Sequence, residues 1–216
     1  MKKNTIITLV AAALLAGALW SIYSTQFKRG PKLNLKPYEA LGEVSADETA
    51  RIMGKPGGVA IVAEDFGKYT MSWSEVLLAA FQKGLSKHAG ISVVLTEKFT
   101  DPTISSYMAT GLSPDRLLKI IQGHPDLNAL VLFGAFPPLT DAEMNGIRQR
   151  GVGILVVSDY KPHYRGLLRL GIIKEVISPR LDSASGTAKT PGTMRDWFDQ
   201  SYVIYTPQNA PSPLYY

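Results

Sequence analysis

Four short apolar runs recur along the chain, and the segments between them carry apolar residues at helical spacing. Each run is apolar on both faces, which is typical of a strand buried in a parallel sheet. The runs cover residues 59–63, 91–95, 129–133 and 154–157. Residues 176–178 and 202–206 are weaker candidates for a fifth and a sixth strand. The pattern therefore predicts a sheet of five or six strands.

The segments between the predicted strands contain signals for helix starts. A Ser or Thr followed three residues later by Glu predicts a capping box, whose side chains satisfy backbone N–H groups at the start of a helix. Such pairs are Ser45 with Glu48, Ser72 with Glu75, and Thr140 with Glu143. Ser113 before Pro114 is a further start signal, because proline fits the first helical position. The helix that Ser45 opens is expected to end near Gly54.

Strands that alternate with helices predict a single α/β domain over residues 38–206. Parallel strands need crossover helices, and right-handed crossovers place helices on both faces of the sheet. We therefore expect a doubly wound, mainly parallel sheet. The Pro- and Tyr-rich residues 207–216 are interpreted as a C-terminal tail that contacts a partner protein.

The N-terminal residues 1–25 have the pattern of a membrane anchor or a signal peptide. Lys2 and Lys3 precede an uncharged, mostly apolar run at residues 5–23. About 20 such residues cross a bilayer, so the run predicts a single transmembrane helix that contacts lipid. Cleavage as a signal peptide near residues 16–18 is the alternative. The residues expected at the membrane interface are Trp20, Tyr23, Lys28 and Arg29.

Positive charge is concentrated at this end of the chain. The first 36 residues hold six of the 23 Lys and Arg and none of the 18 Asp and Glu. Residues 26–37 form a basic tether, and the remaining domain is almost neutral. A nucleic-acid binder needs a basic folded face, so no nucleic-acid partner is expected.

Two rules disagree on the orientation of the predicted transmembrane helix. The positive-inside rule would keep the basic tether in the cytoplasm. A short basic N-terminus before an apolar segment is typical of export. We expect the second to apply, which places the protein in the inner membrane with its domain in the periplasm.

Motifs for cofactors and metals are missing from the sequence. There is no Cys, no G-x-G-x-x-G after the first predicted strand and no nucleophile elbow. Asp159 and His163 have no third ligand at a recognisable spacing, so no metal is expected. No cofactor is expected either. Glu64 and Asp65 end the first strand and are the one pair that would suit an enzyme's base.

A set of polar and aromatic residues follows the predicted strands. In an open α/β sheet, ligands bind at the carboxyl ends of the strands. Hydrogen-bonding and aromatic side chains there suit a small polar ligand such as a sugar. The candidate ligand-binding residues are Asp65, Phe66, Phe136, Ser158, Asp159, Tyr160 and Arg180.

Several segments in order resemble one lobe of the type I periplasmic-binding-protein fold. The opening helix ALGEVSADETARIMG is followed by the strand GVAIVAED and the helix SWSEVLLAAFQKGL. The strands GISVVLTE, DLNALVLFG and GVGILVVSD continue the resemblance. It covers about two thirds of the chain. It implies a ligand contact at Asp159 and Arg180, although this chain has room for only one of the usual two lobes.

Three functional hypotheses follow. The first is a non-enzymatic, membrane-anchored extracytoplasmic domain that serves as an accessory subunit of a larger membrane complex. The alternative is a module that binds or senses a small sugar-like molecule. The third is an enzyme that uses carboxylates at the strand ends.

Overall fold

The computed structural model describes most of the chain outside its N-terminal end. The described residues are 15–21, 23, 33–64, 72–99, 112–159, 161, 163–180 and 191–211. The chain divides into two compact units, Met1–Asn34 and Leu35–Tyr216. All strands and the labelled helices below belong to the second unit.

In the first unit, residues 15–21 are helical. Trp20 and Tyr23 are exposed, at 66% and 51% of their surface. Within the described residues, no helix has both the length and the apolar character needed to cross a membrane. Most of the predicted transmembrane helix, together with Lys28 and Arg29, lies outside these residues. The anchor therefore stays a prediction.

The second unit is built on a six-stranded sheet with the order β2-β1-β3-β4-β5-β6. The strands are β1 (Gly57–Glu64), β2 (Ile91–Phe99), β3 (Leu127–Phe133), β4 (Gly153–Val157), β5 (Glu175–Pro179) and β6 (Tyr202–Tyr205). The first five are parallel, and β6 pairs antiparallel with β5. All six predicted strands are confirmed, and β2 runs four residues beyond its predicted end.

Six helices cover both faces of the sheet; the first precedes β1, and the other five connect successive strands. They are α1 (Lys36–Met53), α2 (Ser72–Leu85), α3 (Pro114–Gly123), α4 (Asp141–Arg150), α5 (Tyr164–Arg169) and α6 (Met194–Ser201). Ser113 caps α3 by accepting the Arg116 N–H, and Thr140 and Glu143 form the predicted capping box at α4. Gly54 ends α1 with φ +60°, as predicted. The side chain of Ser72 lies outside the described residues.

The predicted start of α1 at Ser45 is wrong. The helix begins nine residues earlier, at Lys36, and Pro37 occupies its first turn. Ser45 is fully buried inside the helix, and its carbonyl accepts a hydrogen bond of 2.6 Å from the Thr49 hydroxyl. The capping pattern misled because small hydroxyl side chains also suit a buried helix face that packs closely.

The doubly wound arrangement gives the domain two cores. On one face, alternate strand residues such as Leu130 and Leu132 pack with α3, α4 and α5. On the other face, Val131 and Phe133 pack with α1, α2 and α6. Each fully buried Leu or Ile stabilises the fold by about 1.5–3 kcal/mol relative to exposure. The alternation of side chains along each strand therefore determines which helices pack on each face of the sheet.

Candidate functional site

A cavity of about 440 Å³ opens at the carboxyl ends of the strands, on the face covered by α1 and α2. Strand β2 lies on one side of β1 and β3 on the other, so the direction of winding reverses at β1. The cavity is lined by the ends of β1, β3, β4 and β5, by the first turns of α1 and α2, and by the start of β6. In open α/β sheets, ligands bind at such a switch in strand order.

Three aromatic residues form one wall of the cavity. Tyr38 and Trp73 stack, with ring centroids 5.4 Å apart and an angle of 26° between the planes. Tyr202, the first residue of β6, joins them at the same edge of the sheet. Burial raises the pKa of Tyr202 to about 12, with a smaller contribution from Tyr38. Tyr202 is therefore neutral at physiological pH.

Polar side chains at the ends of β1 and β4 also line the cavity. Glu64 ends β1, and Ser158 and Asp159 follow β4. Gly134 follows β3 with φ +152°, a conformation that favours glycine. A Cβ atom at Gly134 would lie 3.6 Å from Glu64 Oε2 and 3.3 Å from the Phe99 ring. Glycine therefore suits this position because of its backbone conformation and because a side chain would crowd the Phe99 ring.

Tyr164 connects the loops that follow β3 and β4. Its side chain is fully buried, and its hydroxyl accepts the Phe136 N–H at 3.1 Å. The same hydroxyl shares a hydrogen bond with the Ser158 side chain. Burial is the main reason that the pKa of Tyr164 is raised, so the hydroxyl stays protonated. Tyr164 thus fixes the position of Ser158, which lines the cavity.

The structure brings together only part of the predicted site. Ser158 and Asp159 both line the cavity. Phe136 is 3% exposed and packs in the core on the other face. Arg180 donates from Nε to the Asp199 carbonyl at 2.7 Å, and its backbone N–H donates to the Ser201 carbonyl, so it secures the end of α6. Three predicted residues lie outside the described residues: Asp65, Phe66 and Tyr160.

Sequence reasoning missed the aromatic wall. Tyr38 and Trp73 lie in the first turns of their helices, and their helical spacing gives no sign that they meet. Tyr202 was assigned to a strand but not to the site. Because β6 is antiparallel, its first residue, Tyr202, lies at the carboxyl ends of the parallel strands. The sequence would have indicated this only if the direction of β6 had been predicted.

No group of three or more His, Cys, Asp or Glu that could hold a metal ion occurs among the residues that the structure describes. The pKa of His163 is lowered, chiefly by burial and also by Lys161, so this side chain is neutral at pH 7. These residues give no reason to place a metal at the cavity.

No known family profile matches the chain, and no curated protein matches its sequence. Solved structures do match its fold. An ABC transporter solute-binding protein from Agrobacterium vitis, bound with α-D-tagatopyranose, is 16% identical with a TM-score of 0.55, and the match covers 82% of this chain and 58% of that one. The fold is that of one lobe of a type I periplasmic binding protein.

Two further structures support this periplasmic-binding-protein-like lobe. An arabinose-binding protein from Geobacillus stearothermophilus is 13% identical with a TM-score of 0.53, and 80% of this chain matches 61% of that one. A glucose-galactose binding protein from the same organism is 15% identical with a TM-score of 0.52, and 81% of this chain matches 61% of that one. The chain thus matches less than two thirds of the length of each structure.

Proposed function

We propose that the domain binds a small, polar, sugar-like molecule in the cavity at the carboxyl ends of β1, β3 and β4. The observation that carries this proposal is that the stacked pair of Tyr38 and Trp73 lines the same cavity as the polar ends of β1 and β4. An aromatic face offers apolar contact to the C–H groups of a sugar ring. Carboxylate and hydroxyl oxygens accept and donate hydrogen bonds that fix its orientation.

The known structures support the same choice of ligand class. Those of similar fold are named as solute-binding proteins for tagatose, arabinose, and glucose or galactose. At such low sequence identity, the similarity supports the fold alone. The ligand of this chain is therefore inferred from its own cavity. The prediction of a domain on the periplasmic side agrees with this choice and remains a proposal.

Tryptophan fluorescence tests the proposal directly. Full-length protein in a mild detergent is titrated with a panel of monosaccharides, using Trp73→Phe and the matched control Trp197→Phe, whose tryptophan is not among the residues lining the cavity. We expect one sugar to change the emission of the wild type and of Trp197→Phe, but not that of Trp73→Phe. A ligand at 100 times its Kd should also stabilise the fold by about 2.7 kcal/mol.

Two outcomes would contradict the proposal. One is the absence of any thermal shift or emission change across neutral, amino and acidic sugars. The other is a sugar whose binding is unaffected by Trp73→Ala, because that sugar would then sit elsewhere on the molecule.

An accessory role in a membrane complex is kept as a second candidate function. One observation favours it: β2 is an edge strand whose residues Val93 and Val94 are 42% and 37% exposed. Exposed apolar strand edges are common contact surfaces. Extraction in mild detergent followed by size analysis tests the role, and a monodisperse 23.5 kDa species without partners would contradict it. The third hypothesis, an enzyme using Glu64 or Asp65, stays a prediction.

A further inference from the structure

The hydroxyl group of Tyr202 forms no hydrogen bond with any of the described residues. Tyr202 is 8% exposed and lines the cavity. Within the described part of the chain, the fully enclosed side-chain oxygens without a partner belong to Ser45 and Glu175, so the Tyr202 oxygen is not fully enclosed. This hydroxyl therefore remains able to donate and to accept a hydrogen bond at the surface of the molecule.

The Tyr202 hydroxyl lies near the stacked aromatic pair. The pKa of Tyr202 is raised chiefly by burial and in addition by Tyr38, an electrostatic effect that requires the two phenol groups to be close together. Tyr38 stacks with Trp73, and all three rings line the same cavity. A sugar ring in contact with the stacked pair would thus have hydroxyl groups of its edge within reach of Tyr202.

The Tyr202 side chain is held in place by its surroundings. Its ring packs beside that of Phe198, which is 1% exposed, with the ring centroids 5.6 Å apart. Its backbone N–H donates to the Phe198 carbonyl in α6. The Ser201 carbonyl, one residue earlier, accepts the Arg180 N–H at 2.9 Å. The hydroxyl is therefore positioned before a ligand binds, and a hydrogen bond to it costs little conformational entropy.

We infer that the Tyr202 hydroxyl selects the ligand by forming a hydrogen bond with one hydroxyl group at the edge of the sugar ring. This inference rests on the proposed function of the cavity and names a residue that determines its specificity. A site that pairs a polar group with a ligand hydroxyl rejects the analogue that lacks this hydroxyl, because the protein group is then left without a partner. Aromatic contact alone would accept both molecules, since both keep the sugar ring.

Monodeoxy sugars test this inference in the wild type. Full-length protein in a mild detergent is titrated by calorimetry with glucose, galactose and arabinose. The sugar that binds most tightly is then compared with its analogues that each lack one hydroxyl group. We expect at least one analogue to bind about five- to tenfold more weakly than the parent sugar, which corresponds to the loss of one neutral hydrogen bond.

Tyr202→Phe identifies the protein group responsible. The variant lacks only the hydroxyl and should bind the parent sugar about five- to tenfold more weakly than the wild type does. The analogue that lacks the paired hydroxyl should bind the variant and the wild type equally, to within about twofold. The matched control is Tyr205→Phe, on the same strand but packed against the core on the other face of the sheet. This control should keep the selectivity of the wild type, and thermal denaturation checks that both variants are folded.

The possible results separate the two proposals. Monodeoxy analogues that all bind as tightly as the parent sugar would overturn the inference and leave the proposed function intact. The inference would also be overturned if Tyr202→Phe kept the full discrimination among the analogues, or if Tyr205→Phe lost it equally. No binding of any sugar to the wild type would contradict the proposed function itself.

Discussion

At the scale of single residues, the buried Tyr164 hydroxyl links the loop after β3 to the loop after β4. It accepts the Phe136 N–H from the loop after β3 and bonds to Ser158 in the loop after β4. Phe136 and Ser158 were both predicted to contact a ligand. The structure gives them different roles, because Phe136 anchors its loop in the core and Ser158 lines the cavity.

Removing this hydroxyl should loosen both loops. Tyr164→Phe leaves the Phe136 N–H buried without its acceptor, which costs about 1–3 kcal/mol. Chemical denaturation measures that loss, and hydrogen exchange at the Phe136 amide should accelerate more than exchange in β3. Ligand affinity should fall as well, because Ser158 loses its support. Unchanged exchange at Phe136 would show that the hydroxyl does not hold this loop.

Tyr202 should make stability depend on pH in the alkaline range. Burial raises its folded pKa from 10.0 to about 12. Below pH 10 the side chain is neutral in both states. Above that pH the unfolded chain ionises first, so the stability that the neutral side chain supports is lost between pH 10 and 12. Urea denaturation should therefore show a smaller loss over this interval for Tyr202→Phe than for the wild type. Equal losses would contradict the raised pKa.

At the scale of elements, the contact between α1 and α2 is unusually close. A Cβ atom added to Gly42 would meet the Leu77 carbonyl and lie 2.8 Å from Ala80 Cβ. One turn further along α1, Ala46 approaches Gly84 of α2. These small residues bring together the helices that carry Tyr38 and Trp73. The stacked pair at the cavity therefore depends on a helix contact that has no room for larger side chains.

Two glycine substitutions should separate packing from helix propensity. Gly42→Ala overfills the contact and should destabilise the fold by about 1–3 kcal/mol. Gly146→Ala, in α4, meets nothing within 4 Å and should stabilise it by about 0.5–1 kcal/mol. Thermal and urea denaturation of both variants measure the contrast. Similar stabilities would mean that α1 and α2 can separate at little cost.

Local signals predicted the elements well, and tertiary contacts limited the prediction of the site. Residues 129–133 form a strand because they are continuously apolar, and Thr140 caps α4 through groups three residues apart. The start of α1 was misplaced because the small residues around Ser45 pack against a neighbouring helix. Trp73 was missed for a similar reason, since its stacking partner is 35 positions away in the sequence.

At the scale of the whole molecule, β2 is an edge strand of the sheet with two exposed valines. Val93 and Val94 lie at an irregularity in the pairing with β1, and both are exposed. An edge strand of nine residues can pair with another strand, from a second molecule or from a partner. We therefore expect association to use the β2 edge of the sheet rather than the β6 edge.

A charge on this edge should reduce association without unfolding the protein. Val93→Lys should lower concentration-dependent light scattering and change stability by less than about 0.5 kcal/mol. The matched control is Leu170→Lys, because Leu170 is 49% exposed but lies just after α5. If the control reduces association equally, general hydrophobicity rather than the strand edge is responsible.

The antiparallel direction of β6 has a practical consequence for attaching probes. Because β6 starts beside the cavity and ends beside Val176, the chain after Tyr205 emerges at the opposite rim of the sheet. The sequence has no cysteine, so Gln208→Cys would introduce a single thiol at an exposed position on that rim. A dye or a solid support coupled there would leave the cavity at the carboxyl ends of the strands unobstructed. The domain could therefore be immobilised in one orientation as a sensor.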